Sequence, residues 1–323
     1  MNLTHLPLID LQASDETVKP ALESAFNKIG FALITGHGIA AQQISEMREL
    51  LKTYFNRPLT EKLHESITPE NYRGYIPLGF FSANSNSTLT DHYEGYKLHY
   101  EVAAADPIIE QCDLYGPNRW PSEPAHFKDT LLSYWQACDR VSHRLLGLVA
   151  QIMGVDEHRF LSMFNSPLTN MTLLHYPSTP AKPPEEVGYG IHPHKDTDAL
   201  TLLFPDPVGG LWLRPREQDN WLEVVAGEDT LIVNIGDLLE MWSGGYFVST
   251  PHKVVNQSGQ ERYSFPFFTV PRHDVSVAPL ITPQAGFNRE PVPVGSVSRE
   301  VWRTNWPDTQ PGDQNFDLGT LTD

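Results

Sequence analysis

At 323 residues, 40% hydrophobic and 20% charged, the chain can bury about three quarters of its unfolded surface. That composition excludes a disordered chain and a small fold that needs staples. With 23 Lys and Arg against 40 Asp and Glu, the formal net charge is −17, which repels phosphate backbones and anionic lipid. Neither a nucleic acid nor a membrane partner is expected. Cys112 and Cys138 form no CxxC pair and read as reduced thiols. The first residues carry no basic-then-apolar leader, and the longest apolar stretch, 145–155, is too short to span a bilayer. A cytoplasmic protein is expected, a monomer favoured over an oligomer; the charge says little about a small-molecule substrate, because a pocket can carry the opposite local sign.

Residues 6–11 read as a short strand. Val18, Ala21, Leu22, Ala25, Phe26 and Ile29 recur at three-to-four spacing, which predicts an amphipathic helix over 17–29. A second strand covers 31–35 and a second helix 44–55. Residues 79–99 are rich in Ser, Asn and Thr and read as a mobile loop, with Gly79 and Gly95 near its ends as for a lid. The apolar period over 127–153 predicts a long helix. From about residue 165 short β-rich runs follow one another: 171–176, 199–204, 211–214, 221–225, 231–235, 248–250, 254–256 and 263–270. Glycine-bearing turns separate them, as in a sandwich or barrel. Residues 177–190 form a Pro-rich surface excursion, and a short helix is expected over 298–306. The fold class is mixed α/β. A helix-rich region 1–165 precedes an all-β core, 166–275, and a tail, 276–323, that packs on or near the active site.

The densest ionisable cluster is His192-Pro193-His194-Lys195-Asp196-Thr197-Asp198. On a strand, His192, His194, Asp196 and Asp198 would share one face. The spacing leaves open His192 with His194, His194 with Asp196, or a pair that includes Asp198. Alone, such a cluster reads more readily as a solvated strand edge. Downstream, His252 lies in a second strand-like run, and His194, Asp196 and His252 together would make a two-histidine, one-carboxylate set. That set leaves metal positions open, as in non-haem Fe(II) oxygenases. Zinc hydrolases also mix His and carboxylate ligands, but no HExxH segment is present. Arg262 and Ser264, two apart on another strand, could grip a carboxylate with a guanidinium fork and a hydroxyl.

Several motifs in one order resemble the isopenicillin N synthase-like branch of the Fe(II)/2-oxoglutarate-dependent oxygenases. They are LPLIDL near the start, Gly30-Phe31 through His37-Gly38-Ile39, Arg73-Gly74-Tyr75, and Gly116-Pro117-Asn118-Arg119-Trp120-Pro121. His175-Tyr176-Pro177, Gly190 through Leu203, Gly209-Gly210-Leu211, Asn234 through Leu239, Ser249-Thr250-Pro251-His252 and Glu261 through Phe268 complete the series.

The resemblance implies a double-stranded β-helix (jelly roll) core with flanking helices. It puts His194, Asp196 and His252 on iron-ligand positions, with His192 and Asp198 as rim or supporting groups. Arg262 and Ser264 fall where the family holds the 2-oxoglutarate carboxylate, and Tyr176 where co-substrate or substrate is often touched. Arg73, Tyr96, Thr172 and Phe268 lie in segments that approach the metal in relatives, and Arg73 could hold a substrate carboxylate. The chain departs at Leu174, where many plant members carry Asn, and at Thr172, where many carry Arg or Lys, so this strand should offer fewer fixed donors. Lys253 replaces a commoner Arg, read as structural. The activity implied uses Fe(II), 2-oxoglutarate as co-substrate, dioxygen and supporting ascorbate. It hydroxylates, desaturates or cyclises at an unactivated C–H bond and releases succinate and carbon dioxide. The alternatives are a same-fold iron oxidase that does not use 2-oxoglutarate and a non-catalytic ligand-binding jelly roll.

Overall fold

The computed structural model describes residues 5–81, 90–178, 189–216 and 218–304. The first half forms β1 (Leu8–Asp10), α1 (Asp15–Lys28), β2 (Phe31–Thr35), α2 (Ala41–Phe55), α3 (Leu59–Leu63), β3 (Gly74–Ile76), β4 (Glu94–His99), α4 (Ile108–Gln111), α5 (Phe127–Met153) and α6 (Glu157–Ser162). The second half forms β5 (Asn170–Tyr176), β6 (Ile191–His194), β7 (Leu200–Leu203), β8 (Leu211–Leu213), β9 (Leu222–Glu223), β10 (Leu231–Ile235), α7 (Asp237–Trp242), β11 (His252–Val254), β12 (Arg262–Ser264), β13 (Phe267–Thr269), β14 (Ser276–Val277), β15 (Val292–Pro293) and α8 (Val294–Thr304).

Among the described residues, nine strands form one sheet in the order β1-β2-β10-β7-β13-β5-β4-β3, with β12 also paired to β5. Four more form a second sheet, β6-β11-β8-β9. Strands of the first half extend the large sheet directly, since β2 runs antiparallel to β10 and β4 to β5.

Successive side chains on a strand point to opposite faces, and here the two faces bury different cores. Met171, Leu173, Leu200, Leu202, Leu231 and Val233 pack with the helices. Leu174, Tyr176, Leu203 and Ile232 pack instead against Leu211, Leu213 and Val254 of the second sheet. Two sheets facing across an apolar layer make the jelly roll. The helical layer rests on α5, which packs against α1 and α2. It stops at Gly154, whose left-handed φ of 68° lets its N–H reach the Ala150 and Gln151 carbonyls.

The predicted helices over 17–29, 44–55 and 127–153 are α1, α2 and α5. Several expectations need correction. Residues 79–99 are not one loop, because 94–99 form β4 between β3 and β5; residues 82–89, the centre of the expected lid, lie outside the described residues. The run 248–250 is not a strand. The Val248 N–H donates to Phe26 O, the Thr250 hydroxyl to Ile29 O and the Ser249 N–H to Glu240 Oε1, so this stretch is tied to α1 and α7 rather than to a ladder. The neighbouring strand is 252–254, not 254–256. The run 263–270 is two strands, β12 and β13, and the C-terminal helix begins at Val294. Most of the excursion 177–190 and the tail beyond 304 lie outside the described residues. No described helix is long and apolar enough to cross a membrane. Cys112 and Cys138 are free and buried.

One buried charge network fixes β4 against β5. Glu94 accepts from Lys62 Nζ at 2.7 Å, Tyr75 OH at 2.5 Å and His175 Nδ1 at 2.7 Å. Burial alone would raise the Glu94 carboxyl, but the bonds from His175, Lys62 and Tyr75 outweigh it and hold it below its ordinary value. A lowered acid contributes stability above its unfolded pKa and loses it as pH falls through the folded value. Glu94→Ala leaves Lys62 buried without a counter-charge. It should cost about 3–5 kcal/mol, read as a lowered urea midpoint at pH 7, and the gap to the parent should narrow in acid.

Candidate metal centre and co-substrate pocket

β6 and β11 are antiparallel neighbours, and their register sets His194 directly across from His252. The two rings stand 4.3 Å apart between centroids. Asp196 Oδ1 lies 3.7 Å from His194 Nε2 and 3.5 Å from His252 Nε2. Donor atoms of the three side chains all fall within 4.8 Å of one another, so one cation can be shared among them. β6 ends at His194. Asp196 and Asp198 therefore sit in the turn that follows, and the expectation that four groups share one strand face is corrected. The turn folds Asp196 back beside the histidines.

The far side of each donor group is already tied to protein. His194 Nδ1 bonds the His192 carbonyl at 2.7 Å, and His252 Nδ1 bonds the Thr250 carbonyl at 3.1 Å. A carbonyl only accepts, so both Nδ1 atoms carry a proton and both Nε2 atoms are the ones turned to the shared point, where a bound metal would take the place of any proton they hold. Asp196 Oδ2 accepts from Thr201 Oγ1 at 2.5 Å and from Asn234 Nδ2 at 2.8 Å, which leaves Oδ1 for the centre. Burial opposes the Asp196 charge, but His252, His194 and the Thr201 hydroxyl outweigh it and hold the carboxyl far below its ordinary value.

Asp198 is the reverse case: burial and the charge of Asp196 push it well above its ordinary value. The Thr201 hydroxyl lies 2.5 Å from Asp196 Oδ2 and 2.8 Å from Asp198 Oδ2 and can donate to either. The first N–H groups of α7 then fix the turn, Asp237 N–H on the Asp196 carbonyl and Leu238 N–H on the Asp198 carbonyl. His192 is buried on Asp91, with Nδ1 2.6 Å from Oδ1. Two imidazole Nε2 atoms and one carboxylate oxygen, each group held by a second bond on its far side, fit Fe(II) with open positions.

A second anion seat lies at the β12 end. Arg262 is 2% exposed. Its Nε donates to the Gly209 carbonyl at 2.7 Å and its guanidinium carbon sits 4.8 Å over the Tyr176 ring, while Nη1 is buried with no hydrogen-bond partner. An unsatisfied buried guanidinium nitrogen is costly unless an anion meets it, so the residues present fit a carboxylate there. Register pairs Arg262 with Tyr176 and Ser264 with Leu174, which puts Ser264 on the same edge.

The other expected substrate residues divide. Thr172 and Phe268 share the inner face of the large sheet, because Phe268 pairs with both Asn170 and Thr201. Tyr96 turns the other way. Its ring packs on Tyr54 and Phe127 and its hydroxyl bonds the Arg119 carbonyl, so the structure does not bring it to the centre. Arg73 is buried on the Leu114 carbonyl and is likewise not gathered in. Sequence reasoning missed Lys97, one residue from Tyr96. Its ammonium donates to Asn170 Oδ1 at 2.7 Å and Thr172 Oγ1 at 2.9 Å and lies 5.2 Å from the Phe268 ring centroid. Burial lowers it to about 7, with Asp196 and Asp198 opposing. So the strand bearing Thr172 offers a hydroxyl, and the neighbouring strand brings an ammonium to it.

A jelly roll with two imidazoles and one carboxylate gathered between its sheets defines the non-haem iron oxygenase class. Residues 168–271 match the 2OG-Fe(II) oxygenase superfamily, and residues 6–123 match the family described as non-haem dioxygenase in morphine synthesis N-terminal. The chain is 30% identical over 304 residues to a probable iron/ascorbate oxidoreductase of Dictyostelium discoideum, covering 84% of this chain and 82% of that protein. It is 31% identical over 271 residues to the 2-oxoglutarate-dependent dioxygenase thnC of Trichoderma harzianum, covering 80% and 82%. Among solved structures, a full-length Neurospora crassa protein in complex with alpha-KG and thymine shares the fold at a TM-score of 0.80, with 24% identity over 93% of this chain and 97% of that one. JOX2 in complex with 2OG, Fe and JA gives 0.78, with 25% identity over 95% and 86%.

The chain belongs to the Fe(II)/2-oxoglutarate-dependent oxygenases, in their isopenicillin N synthase-like branch. It is an Fe(II)- and 2-oxoglutarate-dependent oxidoreductase.

Gly190 sets how closely Tyr176 and β11 approach, since a Cβ there would lie 2.9 Å from both Tyr176 Cδ1 and Val254 Cγ1. Gly190→Ala should therefore destabilise by about 1–3 kcal/mol through overpacking. An unchanged denaturation midpoint would contradict that packing.

Proposed function

We propose that His194, Asp196 and His252 hold Fe(II), that Arg262, with Ser264 and Tyr176 beside it, holds the distal carboxylate of 2-oxoglutarate, and that the enzyme oxidises an unactivated C–H bond of a small molecule. The observation that carries this reading is the one-sided satisfaction of the ligand set: both Nδ1 atoms and Asp196 Oδ2 are bonded to protein, while both Nε2 atoms and Oδ1 face one point. When bound, Fe(II), 2-oxoglutarate and dioxygen together supply a two-electron oxidation of the substrate, with 2-oxoglutarate leaving as succinate and carbon dioxide.

The chain's own residues orient and exclude. Thr201 and Asn234 stop Asp196 from rotating, and the His192 and Thr250 carbonyls stop the imidazoles from flipping. Arg262 is held by Gly209 and Tyr176, so its free Nη1 is aimed before any ligand arrives. Phe268 and Leu174 supply apolar walls that keep water from the reacting carbon. Ascorbate, by analogy with the name of the Dictyostelium relative, keeps the iron ferrous. We assign catalysis to residues 166–275, with 1–165 as a helix-rich flanking region and 276–323 as a tail on or near the active site, and place the enzyme in the cytoplasm.

Anaerobic titration with Fe(II) and then 2-oxoglutarate, followed by visible absorbance, tests the assignment. His194→Ala should lose about tenfold or more in Fe(II) affinity. Arg262→Met should keep Fe(II) but lose about 2–5 kcal/mol of 2-oxoglutarate binding. In air, a substrate screen should release succinate; dioxygen use without succinate would favour the same-fold oxidase instead.

A further inference from the structure

We propose that Lys97 is a specificity-determining residue that seats a carboxylate of the organic substrate, so that the enzyme acts on small acids with an apolar body. The proposal rests on the iron and 2-oxoglutarate reading above. Two other lysines with little exposure each meet carboxylates: Lys62 meets Glu94, and Lys195 meets Asp237 and Glu240. Lys97 meets only neutral oxygens, Asn170 Oδ1 and Thr172 Oγ1, and the face of Phe268. An ammonium has three donors, and two are used. Asp196 and Asp198 act on it only through space, without a bond; taking a cation out of water without a bonded counter-charge is costly, and a bound anion would reduce that cost.

Its position relative to the ligands is set by strand register. Asn234, Thr201, Phe268 and Asn170 pair in series across β10, β7, β13 and β5, which puts their side chains on one face. Asn234 and Thr201 hold Asp196 at one end of that row. At the other end Lys97 pairs with Thr172 and leans back over Phe268, the strand next to Thr201. An acid seated on Lys97 would therefore lay its carbon skeleton across Phe268 towards Asp196. The same ammonium cannot be the co-substrate seat. Tyr176, beside Arg262, is four residues along β5 from Thr172, about 13 Å at about 3.3 Å per residue. Two separate cations on one strand face thus serve two separate anions.

The test uses phenylacetate, indole-3-acetate and hexanoate, each against its own primary amide, with full-length protein. Binding is read by calorimetry, which needs no iron signal. The wild type should bind at least one acid about 30-fold or more tighter than its amide. Lys97→Met should erase that gap, and Lys97→Arg should keep part of it. Retention of the iron and 2-oxoglutarate absorbance in Lys97→Met certifies that the variant is folded. Equal binding of acids and amides by the wild type, no acid bound, or a gap that survives in Lys97→Met overturns the proposal. Absence of the iron and 2-oxoglutarate absorbance in the wild type overturns the underlying reading instead, and the calorimetry still decides Lys97.

Discussion

A single buried carboxylate organises this molecule's chemistry. Asp196 is 7% exposed and keeps its charge because Thr201, Asn234 and two imidazoles surround it. The two protein bonds fall on Oδ2, so the free oxygen is fixed in direction as well as in charge. Everything that surrounds it serves that asymmetry. The first N–H groups of α7 cap the turn, Asp198 shares the hydroxyl of Thr201, and the β6–β11 register sets the two imidazoles opposite each other.

The large sheet then acts as a ruler. β5 presents Asn170, Thr172, Leu174 and Tyr176 on its inner face, one every second residue. The Arg262 seat lies at the Tyr176 end and the Lys97 ammonium at the Thr172 end. The outer face of the same strand, Met171 and Leu173, is consumed by the helix-packed core. Rigid packing on one face therefore fixes functional spacing on the other, and the Glu94 network locks β4, which carries Lys97, into the same frame.

The long helix and the β-rich half were legible because their periods are unambiguous; α5 has the predicted bounds. His194, Asp196 and His252 were legible as a chemical set, but not their geometry. Period-two reasoning assumed a strand through Asp198, whereas the ladder stops at His194 and a turn does the positioning. Short elements were misread where tertiary bonds compete with local preference, as at 248–250, whose backbone and side chains bind α1 and α7. Lys97 was hidden for a sharper reason. Its neighbour Tyr96 was the candidate, and a shift of one residue on a strand exchanges the two faces. Only the pairing of β4 with β5 says which of the two looks inward.

The most direct measurement is X-ray absorption on the anaerobic protein loaded with one equivalent of Fe(II). Two imidazole scatterers in the wild type, falling to one in His252→Ala, is the result this account predicts. An iron shell without imidazole scattering, or one unchanged by His252→Ala, would contradict it.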